Sequence, residues 1–138
     1  MKLQKSTSFA LLAVLELAAD PTRQPSATEI AGKHGISTHH LAKVLRELGR
    51  AGIVSSVRGV GGGCRFVGNP KRLTLMDIIV LFEPAGPDRA GRDGSRAGTE
   101  AGEALRRVLA EIDEHAAATF RSITLATMLK LMRQPPPG

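Results

Sequence analysis

The sequence predicts a mainly α-helical fold that includes one small β-hairpin and ends in a long helix. Two short helical segments, 27–34 and 38–51, follow each other closely, and this spacing is typical of a helix-turn-helix. A glycine-rich stretch between two β-type segments predicts a hairpin at 53–67. From Thr99 onward apolar residues recur every three or four positions, which predicts an amphipathic helix of about five or six turns.

Residues 3–19 open the chain with a helix that is apolar on nearly all sides from Phe9 onward, so we expect it to be buried. The longest apolar run, residues 9–15, is far shorter than the ~20 residues that a membrane span requires. Asp20 and Pro21 end the helix. We therefore expect a soluble, cytoplasmic protein with this helix in its core.

The two helices that follow carry cap residues at their ends. Ser26 stands three positions before Glu29, which is the spacing of a capping box, and Gly35 suits the end of the first helix. Ser37 caps the second helix, which closes at Gly52. These signals place a turn of about three residues between the two helices.

After the hairpin, which consists of the predicted strands 53–58 and 64–67, the chain returns to helix. Thr74 caps a helix that spans 75–83, and Pro84 stops it. Residues up to this point form the first predicted domain. No internal repeat is evident.

Three further segments complete the chain. Residues 84–98 contain no large apolar side chain, which predicts a flexible linker, and residues 134–138 predict a disordered tail. Residues 99–133 hold the long helix, about 99–121, and a short last helix that begins at Thr124. The apolar stripe of the long helix has six members: Leu105, Val108, Leu109, Ile112, Ala116 and Phe120.

The basic surplus of the chain lies in its first domain. Residues 1–83 contain eleven basic and six acidic side chains, whereas residues 84–138 contain eight and seven. The whole chain carries a net charge of +6 at pH 7. A cationic domain favours a polyanionic partner. The absence of Trp and Tyr argues against a stacking platform for single-stranded nucleic acid.

The predicted helix 38–51 presents two different faces. Advancing about 100° per residue gives an apolar stripe of Leu41, Val44, Leu45 and Leu48. The opposite face carries four basic or potentially basic side chains: His39, Lys43, Arg46 and Arg50. Such a face suits a helix in a DNA major groove, where Thr38 and His39 are best placed for base edges, and His40 joins the candidate DNA-binding residues. The alternative is a solvated helix face.

The stretch SSVRGVGGGCRF, residues 55–66, is interpreted as the tip of the hairpin. A Walker loop ends in Gly-Lys-Ser/Thr and a dinucleotide-binding fingerprint requires glycine at the position of Cys64, so both nucleotide-binding motifs fail. Consecutive glycines let a tight hairpin approach another surface closely. Its candidate DNA contacts, in the minor groove or along phosphates, are Arg58, Gly61, Gly62 and Arg65.

The only cysteine, Cys64, has two interpretations. It is a thiol switch whose reactivity the flanking arginines increase, or it is a small residue packed at the base of the hairpin. Paired carboxylates, a Ser/His/Asp arrangement and a metal-binding constellation are not visible, which argues against an enzyme.

Four blocks of the sequence match a known family: KLQKSTSFALLAVLELA, ATEIAGKHGISTHHLAKVLRELGRAGIVSSVRGVGGGCRF, LTLMDIIVLFEP and SITLATMLKLM. They resemble the Rrf2 family of bacterial winged-helix transcription regulators. The resemblance covers almost the whole chain apart from 84–98 and the proline-rich tail. The pattern LxxLxxAGIVxSxRGxGGG is its most specific part.

The resemblance implies a winged helix-turn-helix, and a homodimer in which the long helix and its apolar stripe pair across a two-fold axis. It places Thr38, His39 and Lys43 on the recognition helix and Arg58 at the minor-groove contact of the wing. Many members hold an iron–sulfur cluster through three cysteines between the fourth helix and the dimerisation helix. This chain has none in 84–98, and Ser8 stands where some members have an acidic ligand, so we expect no cofactor and no metal.

The sequence thus predicts a cytoplasmic bacterial transcriptional regulator, a repressor, that binds an inverted-repeat operator in double-stranded DNA as a homodimer. A small-molecule or protein effector would act by changing the tilt or separation of the two winged helices. Two alternatives stay open: a winged-helix module that binds a protein partner, and a redox-sensing regulator that uses Cys64.

Overall fold

The computed structural model describes residues 3–57, 62–83 and 98–134. These residues form six helices and one two-stranded sheet, in the order α1 (Lys5–Ala19), α2 (Ala27–His34), α3 (Thr38–Arg50), β1 (Val54–Ser56), β2 (Cys64–Phe66), α4 (Leu75–Phe82), α5 (Glu100–Ser122) and α6 (Leu125–Arg133). The mainly α-helical fold with one hairpin is confirmed, and both strands are shorter than expected. The predicted linker and tail lie outside the described residues, apart from Gly98 and Gln134.

Helix α1 lies at the centre of the fold, where it contacts α2, α3, α4, α6 and β2. Ala10, Ala13 and Val14 are fully buried, and Leu17 is nearly so. These small side chains let the neighbouring helices approach closely, and the larger side chains of the other elements fill the remaining space. The expected burial of the first helix is thus observed. Within the described ranges, no helix combines the length and hydrophobicity that a bilayer crossing requires.

The turn between α2 and α3 is fixed by caps at both of its ends. Gly35 adopts a left-handed conformation with φ of 65°, which ends α2, and the Ser37 hydroxyl accepts a hydrogen bond from the backbone N–H of His40. Helix α3 ends at Arg50, and Gly52, two residues further on, turns the chain with φ of 77°. The backbone N–H of Ile53 then donates to the carbonyl of Leu48 at 3.0 Å. The helix-turn-helix therefore has defined ends.

The hairpin is antiparallel, and its register pairs Val54 with Phe66 and Ser56 with Cys64. The loop end of its strand pair lies against the loop between α1 and α2, because the backbone N–H of Cys64 donates to the carbonyl of Pro25 at 2.9 Å. A Cβ at Gly63 would lie only 2.2 Å from the carbonyl oxygen of Gln24 in the same loop. Glycine at position 63 is therefore required by close approach of two backbones.

Helices α4 and α6 lie in two similar stretches of sequence, LTLMDIIVLF at 73–82 and ITLATMLKLM at 123–132. Thr74 and Thr124 cap their helices and pair as an isolated antiparallel bridge. The backbone N–H of Leu75 donates to the carbonyl of Ile123 at 3.0 Å. The backbone N–H of Leu125 donates to the carbonyl of Leu73 at 2.9 Å. This repeat, which the sequence analysis did not predict, joins the last helix to the first domain.

Candidate nucleic-acid interface

Helix α3 separates its predicted faces as the sequence indicates. Leu41, Val44 and Leu48 are at most 1% exposed, so the apolar stripe is anchored in the core. The structure brings five of the predicted DNA-binding side chains to the exposed surface of this helix: Thr38, His39, Lys43, Arg46 and Arg50. The rigid attachment of one face gives the other a defined direction, as reading of base edges requires.

The exposed face of α3 is cationic. Among the described residues, no acidic side chain forms an ion pair with Lys43 or Arg46. Arg50 lies 3.1 Å from Glu47, but the two side chains are 71% and 49% exposed. A surface pair of this kind contributes about 0–1 kcal/mol. The Arg50 guanidinium can therefore exchange this carboxylate for a phosphate.

His40 differs from its neighbours on α3, because its ring turns toward the protein. The Nε2 atom lies 2.9 Å from the Ser6 hydroxyl, and the ring meets that of Phe9 edge to face with centroids 4.8 Å apart. The side chain is half-buried. Neither partner on α1 was singled out from the sequence, because nothing local links positions so far apart.

The wing contributes an exposed Arg65 on β2, opposite Ser55 in the register. Gly62 is half-buried where the chain enters this strand. Arg58 and Gly61, the other predicted contacts of the wing, lie outside the described residues. The described part of the hairpin thus supplies one cation, Arg65, and the loop end of the hairpin lies close against the α1–α2 loop at Gly63.

Cys64 is the first residue of β2, next to the hairpin loop, and is 8% exposed. Burial raises the pKa of its thiol above the ordinary value, with a smaller opposing effect from a hydrogen bond with Ser56. Since the thiolate is the reactive form, both observations favour the interpretation as a packed residue over that as a thiol switch.

The apolar stripe of α5 divides into two groups. Leu105, Val108 and Ile112 are more than half exposed. The other three members of the predicted stripe are partly buried: Leu109, Ala116 and Phe120. Helix α5 contacts α4, and within the described parts of the chain the first group remains exposed.

A buried carboxylate lies on the inner face of α5. Asp113 is 4% exposed, and its Oδ2 atom makes no hydrogen bond in the described parts of the chain. A second buried carboxylate, Glu83 at the end of α4, is 3% exposed and well paired. It accepts hydrogen bonds from the backbone N–H of Gln4 at 2.9 Å and from the Thr7 hydroxyl. The sequence did not indicate that either carboxylate would be buried.

Comparisons with known proteins agree with this geometry. The family profile described as Rrf2, iron-dependent transcriptional regulator, matches residues 3–131. BadM of Rhodopseudomonas palustris, which bears the name of an HTH-type transcriptional regulator, is 54% identical over 132 residues, which are 96% of this chain and 83% of that protein.

Solved structures show the same fold. CymR (YrzC), the global cysteine regulator of B. subtilis, has a TM-score of 0.73 at 26% identity and covers 95% of this chain and 98% of its own. IscR of T. potens has a TM-score of 0.75 at 25% identity, with 100% and 94% covered.

The residues of this chain do not fit the thiolate-bound iron centre that the family description suggests. A cluster requires several thiolates or comparable ligands in one pocket. The sequence has a single cysteine, and Cys64 is buried in the hairpin with a raised thiol pKa. Within the described ranges, no group of three His, Cys, Asp or Glu side chains could hold a metal ion.

Proposed function

Because the chain belongs to the Rrf2 family of transcriptional regulators, we propose that it binds an inverted-repeat operator as a homodimer and represses the adjacent genes. The family is one of regulators and not of enzymes. The observation that carries the proposal is the exposed cationic face of α3, backed by an apolar stripe that is buried in the core. Such a regulator acts where the bacterial chromosome lies, in the cytoplasm, and the proposal includes that location.

DNA binding would follow from two kinds of contact. Lys43, Arg46, Arg50 and Arg65 neutralise phosphates and release counterions, which gives affinity that falls with salt. Thr38 and His39, in the first turn of α3, are placed to meet base edges in the major groove, which gives the sequence preference.

The dimer would form through the exposed group on α5. Leu105, Val108 and Ile112 recur at spacings of three and four on a helix of 23 residues, so they form one strip along about 10 Å of the helix. Two copies related by a two-fold axis bury this strip against itself. Two recognition helices are then presented to the two halves of an inverted repeat.

Equilibrium binding to duplex fragments selected from the source genome tests the DNA contact. Lys43→Ala and Arg46→Ala should each lower the slope of log affinity against log salt concentration by about 1. Lys130→Ala, which removes the same charge from α6, is the matched control and should leave the slope unchanged. Salt-independent binding by the wild type would overturn the proposal and favour a protein-binding module.

Sedimentation equilibrium tests the dimer. Ile112→Lys should give a monomer, because a charge then lies in the apolar strip, whereas Ala118→Lys, roughly 120° away on the same helix, should remain dimeric. A monomeric wild-type protein would contradict this part. Repression is tested by an operator-driven reporter, whose expression should rise when the regulator gene is deleted.

A further inference from the structure

The first turn of α3 is tied to the first turn of α1 through His40. This turn also carries Thr38 and His39, the side chains placed to meet base edges. The hydrogen bond between His40 Nε2 and the Ser6 hydroxyl is 2.9 Å long, and the edge of Phe9 packs against the same ring. The orientation of the reading turn therefore depends on residues of another helix.

The turn of α1 that carries Ser6 is itself held in place from α4. The N-cap residue of α1, Gln4, makes no side-chain cap. The carboxylate of Glu83 accepts a hydrogen bond from the backbone N–H of Gln4 at 2.9 Å, as an N3 side chain does in a capping box. The same oxygen accepts a bond from the hydroxyl of Thr7, a fully buried residue. A carboxylate at a helix N-terminus is also favoured by the helix dipole.

Packing alone does not fix this flank of α3. An open cleft of about 520 Å³ lies between α3 and the end of α4, with Ser6, His40, Val44 and Phe82 among its lining residues. Side chains bordering open space leave a helix more freedom than close-packed ones do. The contacts of His40 with Ser6 and Phe9 therefore contribute much to fixing the orientation of α3 on this side.

We propose that His40 is a positioning residue for DNA recognition, which fixes the first turn of α3 through Ser6 and Phe9 without touching the duplex. The inference rests on the proposed DNA binding and concerns how its specificity is achieved. Base-edge contacts require placement within about 0.5 Å, whereas contacts to phosphates tolerate small displacements. Loss of the Ser6–His40 bond should therefore weaken binding to the operator and spare binding to unrelated DNA.

A double-mutant cycle tests this inference. Affinities of the full-length protein for a selected operator duplex and for a scrambled duplex are measured across salt concentrations for Ser6→Ala, His40→Phe and the double variant. His40→Phe keeps an aromatic ring beside Phe9 and removes the hydrogen bond. Each single change should weaken operator binding about fivefold to tenfold. Scrambled-duplex affinity and the salt slope should stay unchanged.

The double variant should bind the operator no more weakly than either single variant, because both changes remove the same bond. Ser6→Thr, which keeps a hydroxyl, should retain most of the operator affinity. Ser8→Ala, a matched serine change on the same helix, should bind like the wild type. Thermal unfolding and the amide chemical shifts of Thr38 and His39 separate displacement of the turn from unfolding of the protein.

Two results would overturn the inference while the proposed function stands. One is additive loss in the double variant, and the other is a fall of about 1 in the salt slope for His40→Phe, which would indicate a phosphate contact by His40 itself. A wild-type protein that binds no duplex would overturn the proposed function and this inference together.

Discussion

Replacing Gly63 by alanine should detach the loop end of the wing hairpin from the α1–α2 loop. The added Cβ would lie 2.2 Å from the carbonyl oxygen of Gln24 and 2.6 Å from that of Pro25. Both obstacles are backbone atoms, so no side-chain rotation relieves the overlap. An ordinary contact begins near 3.4 Å, so the hairpin must withdraw by about 1.2 Å.

The cost of this withdrawal can be estimated from the contacts that it breaks. The hydrogen bond from the backbone N–H of Cys64 to Pro25 is 2.9 Å long, and a similar lengthening takes it beyond the ~3.2 Å limit. Leaving these buried groups unpaired costs about 1–3 kcal/mol, and repacking the overlap costs a similar amount. We therefore expect Gly63→Ala to lower the free energy of unfolding by about 2–6 kcal/mol.

Urea unfolding followed by circular dichroism, at one fixed protein concentration, measures this change. Gly32→Ala is the matched control, because nothing lies within 4 Å of its added Cβ in the interior of α2. That variant should gain about 0.5–1 kcal/mol from the lower entropy of its unfolded chain. The reasoning is refuted if the two variants shift stability in the same direction.

Three further outcomes are expected. Asp113→Ala should raise the free energy of unfolding by about 1–2 kcal/mol in urea titrations, because it removes a buried carboxylate whose Oδ2 has no hydrogen-bond partner among the described residues; a loss of stability would instead reveal a partner for that carboxylate. A hydrogen bond from Lys33 lowers the pKa of Glu16 below its ordinary value of 4.5, so this pair stabilises the fold above about pH 4.5 and ceases to do so as the pH falls through the lowered pKa. Glu16→Gln should therefore be less stable than the wild type at pH 6 by up to about 1 kcal/mol, with a gap that closes toward pH 3; a constant gap would contradict the ion pair. Cys64 should react with an aromatic disulfide at least about tenfold more slowly in the folded than in the unfolded protein, and equal rates would show that its burial is not maintained.

Local signals in the sequence predicted the helices well. The hydroxyls of Ser26, Ser37 and Thr74 each accept a hydrogen bond from the backbone N–H three residues on, and their helices begin directly after them. The two faces of α3 also followed from periodicity alone, because a helix that packs on one side exposes the other. One local feature was misplaced, since the complete capping box lies at Thr74 and Asp77 and not at Ser26.

Features that depend on packing between distant segments could not be predicted. The partners of His40 and Thr7 lie 34 and 76 positions away, and no local pattern connects such positions. The division of the α5 stripe into exposed and partly buried residues also depends on packing between distant segments. Periodicity shows which residues are apolar, but it does not show which of them the rest of the chain covers. The His40 ring turns inward because α1 lies beside it, and the position of α1 cannot be deduced from the periodicity of α3.

The bridge between Thr74 and Thr124 has a consequence for how the protein matures during synthesis. Leu125 and Leu129 of α6 lie in the same hydrophobic cluster as Ala10 and Val14 of α1, so the core stays open at one side until the last helix has been made. Closing it brings together segments separated by more than 100 positions, which makes this a late event in chain growth. We expect that chains interrupted before α6 do not complete this core, so the DNA binding proposed above would require α6.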